Sequence, residues 1–185
     1  NNSDLEKWKV MDLCAGCGVI GFELSFHCPQ LKDFNFVEVQ SQYQEHFNKN
    51  VQIVNRSDVK FNFHLSNYVD FLNIKWKEST DLIICNPPYF IPGQGKYPPS
   101  ELKKRSRFFM DASFEQLLQV IHYLLKRQGN AYILVRPLED HGLNHFNLSE
   151  STQSLFQTPE LVSDIRGTGL WRLKPRPSSQ EVRPS

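Results

Sequence analysis

The chain has 185 residues, of which 39% are hydrophobic and 22% are charged, as is ordinary for one soluble globular domain with a sizeable core. No apolar run approaches the roughly 18 residues of a membrane-spanning helix, and a formal net charge of +1 at pH 7 argues against a general affinity for nucleic acid. The sequence starts without Met and without signal-peptide features, so we expect a cytoplasmic protein whose natural chain begins before Asn1.

Residues 9–14 predict a first strand that runs into a glycine-rich turn. Gly16, Gly18 and Gly21 have the G-x-G-x-x-G spacing of a nucleotide-binding βαβ unit. In such a unit the glycines permit a tight turn, a close approach of the ligand and close packing of the next helix. The apolar stretch that follows predicts this helix. Because the spacing alone also fits a nicotinamide-dinucleotide fold, it leaves the class of nucleotide open.

Two cysteines, Cys14 and Cys17, lie inside this turn with the C-x-x-C spacing of a redox or metal pair. The other two cysteines, Cys28 and Cys85, do not form a second pair, and the six histidines are scattered. We interpret Cys14 and Cys17 as small residues of a ligand-binding loop. Reduced thiols and no metal site are therefore expected.

The second predicted strand, residues 34–39, carries Glu38 at 22 residues after Gly16. A carboxylate at the end of a strand and at that distance can accept both hydroxyls of a ribose. The alternative is an ordinary exposed charge at a strand end. The chain then predicts an amphipathic helix over 41–54 and a third strand over 61–65.

The fourth predicted strand, residues 81–85, leads into Asn86-Pro87-Pro88-Tyr89. Two prolines fix φ and remove two backbone donors, so the surrounding carbonyl groups stay free for a ligand at the edge of an open α/β sheet. Asn86 adds an amide oxygen, and Tyr89 adds a flat ring for stacking. This combination is suited to hold the exocyclic NH2 of a planar base. A plain Pro-Pro turn is the alternative.

The segment after Tyr89 is basic. Residues 91–185 contain 13 Lys and Arg against 9 Asp and Glu, whereas residues 1–90 contain 8 against 11. The densest run is Lys103-Lys104-Arg105-x-Arg107, in a predicted loop over 95–107. Such a run either binds RNA phosphates in a salt-dependent way or forms a solvated surface without a partner.

A further helix is predicted after this loop. Ser113 and Gln116 have the spacing of a capping box, and apolar residues recur on one face from Phe114 onward. We expect this helix to end around Lys126, Arg127 and Gly129.

The last third of the chain predicts strands and a tail. A fifth strand is expected over 131–135, and a closing hairpin over 161–165 and 170–173. The polar residues 138–157 allow no assignment, and the Pro- and Ser-rich residues 175–185 predict a flexible tail. Alternating strands and helices predict a mainly parallel sheet with right-handed crossovers.

Asp12 lies four residues before Gly16, and Asn-Pro-Pro-Tyr follows the fourth strand. In this combination the chain resembles the class I S-adenosylmethionine (SAM)-dependent amino methyltransferases over about residues 9–137. The resemblance implies a Rossmann-like α/β fold. Its seven-stranded sheet would be mostly parallel, with the last strand antiparallel and helices on both faces. It also implies SAM as the cofactor, with contacts from Asp12, Cys14, Ala15, Gly16, Gly18, Gly21, Glu38, Asn67 and Asn86.

Asn67 departs from the pattern of this family. Many members have an Asp after the third sheet strand, where it accepts a hydrogen bond from the adenine amine of SAM. The amide oxygen of Asn67 can accept the same bond, so we expect cofactor binding to be retained. Alternatively, Asn67 only caps the N-terminus of a helix.

Phe90 and the basic segment are similar to those of the bacterial tRNA (adenine-N6) methyltransferases that act on valine tRNA, which carry an additional segment before the first strand. The similarity implies methylation of adenine N6 in tRNA. We expect a monomeric domain over 1–174 that binds no metal and no membrane. The catalytic residues implied are Asn86, Pro87 and Tyr89, and the RNA contacts implied are Tyr89, Phe90, Lys103, Lys104, Arg105 and Arg107. Two alternatives stay open: N5-methylation of a glutamine side chain in a release factor, and a weakly active RNA-binding module.

Overall fold

The computed structural model describes residues 2–93, 96–136 and 152–176. Gly95, most of the unassigned segment 138–157 and residues 177–185 of the predicted tail lie outside the described residues. The helices are α1 (Asn2–Leu5), α2 (Val19–His27), α3 (Gln42–Val54), a 3₁₀ helix (Tyr68–Phe71), α4 (Glu101–Arg107) and α5 (Phe114–Leu124). The strands are β1 (Lys9–Leu13), β2 (Asp33–Glu38), β3 (Lys60–Leu65), β4 (Thr80–Cys85), β5 (Leu125–Val135), β6 (Glu160–Ile165) and β7 (Thr168–Leu173).

The seven strands form one mixed sheet in the order β3-β2-β1-β4-β5-β7-β6. Strands β1 to β5 are parallel to one another, and β7 is antiparallel to both β5 and β6. This confirms the prediction of a mostly parallel sheet whose last strand is antiparallel. The strand order reverses between β1 and β4, so their carboxyl ends open a crevice of the kind in which α/β sheets bind ligands.

Helices cover both faces of the sheet, as expected. On one face α2 and α3 enclose an aromatic cluster with β2, in which the ring centroids of Phe22 and Phe36 are 5.1 Å apart and those of Phe36 and Phe47 are 4.8 Å apart. On the opposite face α5 and the 3₁₀ helix pack against the central strands, with Leu117 and Ile121 fully buried. The apolar face of α5 that the sequence predicted is therefore the side that lies on the sheet.

A glycine is required where α2 crosses β2. A Cβ added at Gly21 would lie 2.3 Å from Cε1 of Phe36, which is far inside van der Waals contact. The third glycine of the loop thus permits the close packing of helix on strand that its spacing predicted.

Two predictions of secondary structure after β4 were wrong. The basic residues of the predicted loop over 95–107 lie in helix α4, which is capped by Ser100. Helix α5 has the predicted capping box between Ser113 and Gln116, but it ends at Leu124 and the chain passes directly into β5. The residues expected to end the helix, Lys126, Arg127 and Gly129, therefore lie in a strand.

The pairing of β4 with β5 explains this early start of the strand. Leu125 has extended backbone angles and pairs with Thr80, ahead of an irregularity in the ladder before Leu82. Lys126 Nζ donates to both carboxylate oxygens of Asp81 at 2.8 Å. Lys126 therefore links β5 to β4, and it does not interact with the dipole of a helix end, where the sequence had predicted it to lie.

The closing hairpin is confirmed as β6 and β7, with Gly167 in its turn at φ 81°. The described start of the predicted tail is tied to the domain, because Arg176 donates from its backbone N to the Leu155 carbonyl and from Nε to the Phe156 carbonyl. In the described parts of the chain, no helix is both long and apolar enough to cross a membrane.

Candidate functional site

A cavity of about 310 Å³ lies at the carboxyl ends of β1, β2 and β4. Its volume is at the lower end of the range of small-molecule sites. The residues of the predicted site that line it are Cys14, Ala15, Gly16, Glu38, Asn67, Asn86 and Arg105. The structure thus brings together the glycine loop, the end of β2, the segment after β3 and the start of Asn-Pro-Pro-Tyr.

Glu38 forms the polar wall of the cavity at the end of β2. It is 6% exposed, and its oxygens accept hydrogen bonds from the backbone N of Gly16 and of Gln40, each at 2.8 Å. Burial raises the pKa of Glu38, although these backbone donors oppose the shift. Because each carboxylate oxygen has two acceptor positions, Glu38 retains capacity for further donors after holding the loop in place. It is therefore not an ordinary exposed charge.

Asp12 lies behind the glycine loop and does not line the cavity. Its Oδ2 accepts a hydrogen bond from the backbone N of Gly21 at 3.1 Å, near the first turn of α2. Burial raises the pKa of Asp12 to about 7 from an ordinary 3.8, with the negative charge of Glu38 as a smaller cause. The position of Asp12 supports the shape of the loop, and direct contact with a ligand stays a prediction.

Asn67 lines the cavity beyond β3 and also caps the N-terminus of the 3₁₀ helix. Helix capping was one of the two roles that the sequence predicted for it. Its Oδ1 accepts from the backbone N of Val69 at 3.2 Å, and its Nδ2 donates to the Asp111 carbonyl at 2.9 Å. Asp70 completes a capping box by accepting from the backbone N of Asn67. A role for Asn67 in binding a base stays a prediction.

The Asn-Pro-Pro-Tyr segment leaves β4 at the mouth of the cavity. Asn86 is exposed and lines the cavity, while Pro87 is buried. Tyr89 Oη donates a hydrogen bond to Asn86 Oδ1 at 2.5 Å. Burial is the largest cause that raises the pKa of Tyr89, so its hydroxyl stays protonated at neutral pH. The hydroxyl therefore orients the amide, which the sequence argument, based on the ring alone, did not foresee.

The basic residues of α4 point in different directions. Lys103 and Arg107 are exposed, whereas Lys104 Nζ lies 4.7 Å from the ring centroid of Tyr97. Arg105 forms a bidentate ion pair with Asp111 at the cavity wall. The run thus contains one residue of the cavity wall, one that packs on an aromatic ring and two that face solvent.

Several predicted site residues do not line the cavity. They are Asp12, Gly18, Gly21, Pro87, Tyr89, Phe90, Lys103, Lys104 and Arg107. Of these, Tyr89 and Phe90 lie next to the mouth, because their backbone N atoms donate to the Arg107 carbonyl at 3.0 and 2.9 Å.

The polar cavity residues that the sequence argument missed include Gln40, Tyr43, Ser106 and Asp111. Gln40 comes two residues after Glu38, which is the only local signal among them. The others belong to α3, to α4 and to the segment after it, so they meet only when the sheet brings these parts together.

The lining is suited to a polar nucleoside-like ligand. The lining contains both polar and apolar side chains. The polar ones include the carboxylates of Glu38 and Asp111 and the amides of Asn67 and Gln40, and the apolar ones include Ile20 and Phe109. In the parts of the chain that the structure describes, no group of three or more His, Cys, Asp or Glu side chains is arranged to hold a metal ion.

Comparison with solved structures defines the fold class. An O-methyltransferase family protein from Burkholderia thailandensis superposes with a TM-score of 0.64 at 13% identity, over 91% of this chain and 51% of that one. The fold is the Rossmann-like methyltransferase fold.

The family follows from the sequence comparison. The model of the methyltransferase small domain matches residues 2–112, and the chain belongs to this family. A curated relative from Shewanella baltica, strain OS155, is 29% identical over 168 residues and is named tRNA1(Val) (adenine(37)-N6)-methyltransferase. The match covers 84% of this chain and 63% of the length of that relative. The release factor glutamine methyltransferase of Mycoplasma mycoides is 35% identical over 94 residues, which cover 48% of this chain and 29% of that protein.

Proposed function

We propose that this domain transfers a methyl group from SAM to an exocyclic amino nitrogen, and that the acceptor is adenine N6 in a tRNA. The observation that carries the proposal is the position of Asn86, whose exposed side chain lines the same cavity as Glu38 and Gly16. A cofactor site and a group that can hold an amine thus share one cavity. The naming of the Shewanella baltica relative supports adenine in tRNA as the acceptor.

The residues of the cavity fit SAM. Glu38 has acceptor positions left for the hydroxyls of a ribose, and Gly16, with φ 55°, leaves space where a side chain would project. The corner of Asn67 and Asp111 offers amide and carboxylate oxygens to a base. When bound there, SAM supplies a methyl group that its sulfonium already activates.

The Asn-Pro-Pro-Tyr segment would hold the acceptor. Asn86 Oδ1 and the Pro87 carbonyl are suited to accept the two N–H groups of an adenine amine. As positive charge develops on this nitrogen, both hydrogen bonds strengthen, and this lowers the barrier. Tyr89 would stack on the base, which has to be unpaired to reach the site. The released proton passes to water.

Methyl transfer to defined acceptors tests the proposal. Purified protein is incubated with tritium-labelled SAM and unmodified tRNA, and the tRNA is digested and analysed for methylated nucleosides by mass spectrometry. We expect label in N6-methyladenosine. Binding of S-adenosylhomocysteine, measured by calorimetry, should far exceed that of NAD. Equal affinity for NAD would contradict the cofactor assignment.

A second candidate is N5-methylation of glutamine in a release factor. The similarity to the Mycoplasma mycoides enzyme favours it, and a primary amide offers the same two N–H donors as adenine. The exposed charges of Lys103 and Arg107 favour RNA. A parallel assay with purified release factor separates the two, because label in the protein and not in the tRNA would establish the second candidate. Cofactor binding without label in either would indicate an RNA-binding module.

A further inference from the structure

Besides the Arg105–Asp111 ion pair, helix α4 is bonded to the cofactor side of the cavity through Ser106. Ser106 Oγ donates to the Leu102 carbonyl at 2.8 Å within the helix, so its lone pairs are directed to other donors. Gln40 Nε2 lies 3.2 Å from this oxygen, and Tyr43 Oη lies 3.1 Å from it. Because the only proton of Ser106 is already used, Gln40 and Tyr43 both act as donors.

Gln40 and Tyr43 are in turn parts of the wall around Glu38. The backbone N of Gln40 donates to Glu38 Oε1, and the side chain of Gln40 is buried. Tyr43 Cε1 lies 4.0 Å from the position that a Cβ on Gly16 would occupy, so its ring spans from the glycine loop to α4. The hydroxyl of Ser106 thus holds the helix against the groups that would contact the ribose.

The next residue of α4, Arg107, is bonded to the acceptor side. The Arg107 carbonyl accepts hydrogen bonds from the backbone N of Tyr89 and of Phe90, and the Phe90 carbonyl accepts from the backbone N of Phe109. The residue that bonds the cofactor wall and the residue that bonds the Asn-Pro-Pro-Tyr segment are therefore neighbours in one helix. A helix of seven residues is only about 10 Å long, so the two sets of hydrogen bonds constrain the same short segment.

We propose that Ser106, Gln40 and Tyr43 form a latch that couples cofactor binding to RNA binding through α4. RNA held by Lys103 and Arg107 would fix the outer side of the helix and so stabilise the cavity wall on its inner side. Coupling of this kind is reciprocal, so bound cofactor also raises the affinity for RNA. The RNA half of this inference rests on the proposed function.

Calorimetry with S-adenosylhomocysteine tests the latch without turnover. The dissociation constant is measured for the protein alone and with saturating unmodified tRNA. For the unsubstituted protein we expect tRNA to tighten binding by at least about fivefold. Ser106→Ala and Tyr43→Phe should weaken binding to the free protein by about two- to tenfold, as for one lost hydrogen bond. Both should abolish the tightening by tRNA.

Two matched variants control for simple destabilisation. Ser106→Thr keeps the hydroxyl and should retain the coupling. Ser41→Ala removes an exposed hydroxyl that makes no capping bond at the start of α3, and it should behave like the unsubstituted protein. Full tightening by tRNA in Ser106→Ala would overturn the latch. If tRNA binds but leaves the dissociation constant of S-adenosylhomocysteine unchanged, the coupling alone is overturned. If tRNA does not bind, the proposed RNA function is overturned together with the coupling.

Discussion

At the scale of single residues, the contact between Tyr89 and Asn86 matters most for the proposed chemistry. The Tyr89 hydroxyl donates to the same oxygen, Asn86 Oδ1, that we propose accepts a hydrogen bond from the target amine. An amide oxygen has two lone pairs, so it can serve both donors. The hydroxyl thereby holds the amide in one orientation before substrate binds, which reduces the entropy lost in the transition state.

Substitutions at these two residues should affect turnover to different extents. Asn86→Ala should lower kcat by about 10²–10³, by analogy with removal of one positioned hydrogen-bonding group from an oxyanion hole. Tyr89→Phe keeps the ring and loses only the orienting bond, so a decrease of about two- to tenfold is expected. Steady-state methylation of unmodified tRNA measures both, and affinity for S-adenosylhomocysteine should change less than turnover in each variant. Near-normal turnover of Asn86→Ala would remove the role proposed for this segment.

Asp12 makes the stability of the domain depend on pH. Its pKa is about 7 in the folded protein and 3.8 in the unfolded chain, so the folded state binds more protons between these values. The free energy of unfolding therefore contains a contribution that is complete below about pH 4 and is lost as the pH rises to 7.

Asp12→Asn should remove this dependence, because an amide oxygen can still accept from Gly21 and does not ionise. Urea unfolding of both proteins from pH 4 to 8 provides the measurement. The stability of the unsubstituted protein should fall relative to the variant by on the order of 1 kcal/mol per pH unit, up to pH 7. Glu38 is present in both proteins, so its own titration largely cancels in the difference. Parallel curves would show that folding does not raise the pKa of Asp12.

At the scale of elements, α4 shows how far sequence reasoning reached in the candidate site. The basic run was found, but its helix was not, although Ser100 precedes it and Glu101 lies in its first turn, both typical of a helix start. Pro98 and Pro99 directly precede this helix start. The sequence could not show which of the four basic side chains faces Asp111 and which face solvent, because this depends on contacts with distant parts of the chain.

Substitutions within α4 should separate RNA contacts from structural ones. The double variant Lys103→Ala/Arg107→Ala removes two exposed charges, so its tRNA affinity and the salt dependence of that affinity should both decrease. Its affinity for S-adenosylhomocysteine in the absence of RNA should stay the same. Arg105→Ala breaks the ion pair with Asp111 at the cavity wall and should instead weaken cofactor-product binding. Filter binding over a range of salt concentrations, together with calorimetry, measures these effects, and an unchanged salt slope in the double variant would contradict the assignment.

The packing of α2 on β2 gives a prediction for stability. Gly21→Ala should lower the free energy of unfolding by about 1–3 kcal/mol, because the new Cβ collides with the Phe36 ring. In the double variant with Phe36→Leu the loss should be smaller than the sum of the single losses, since the smaller side chain relieves the collision. Urea unfolding followed by circular dichroism measures all three. Additive losses would show that the two residues do not compete for space.

At the scale of the whole molecule, the sheet followed from the sequence because its signals are local. Apolar runs, glycine spacing and turn residues mark β1 to β4 and the closing hairpin within one or two residues of their observed bounds. The resemblance supplied the number of strands and the antiparallel direction of β7. The passage from α5 to β5 was missed, because Lys126 and Gly129 carry ordinary signals of a helix end and only the ladder with β4 overrides them.

The position of β7 in the sheet also has a consequence for synthesis of the protein. This strand comes last among the strands of the described residues, yet it lies between β5 and β6. Until Thr168–Leu173 have left the ribosome, β5 lacks its antiparallel neighbour, and an unpaired strand edge is a site at which other chains can add. We therefore expect the nascent domain to be most prone to aggregation just before β7 emerges, and less prone once the hairpin has docked on β5.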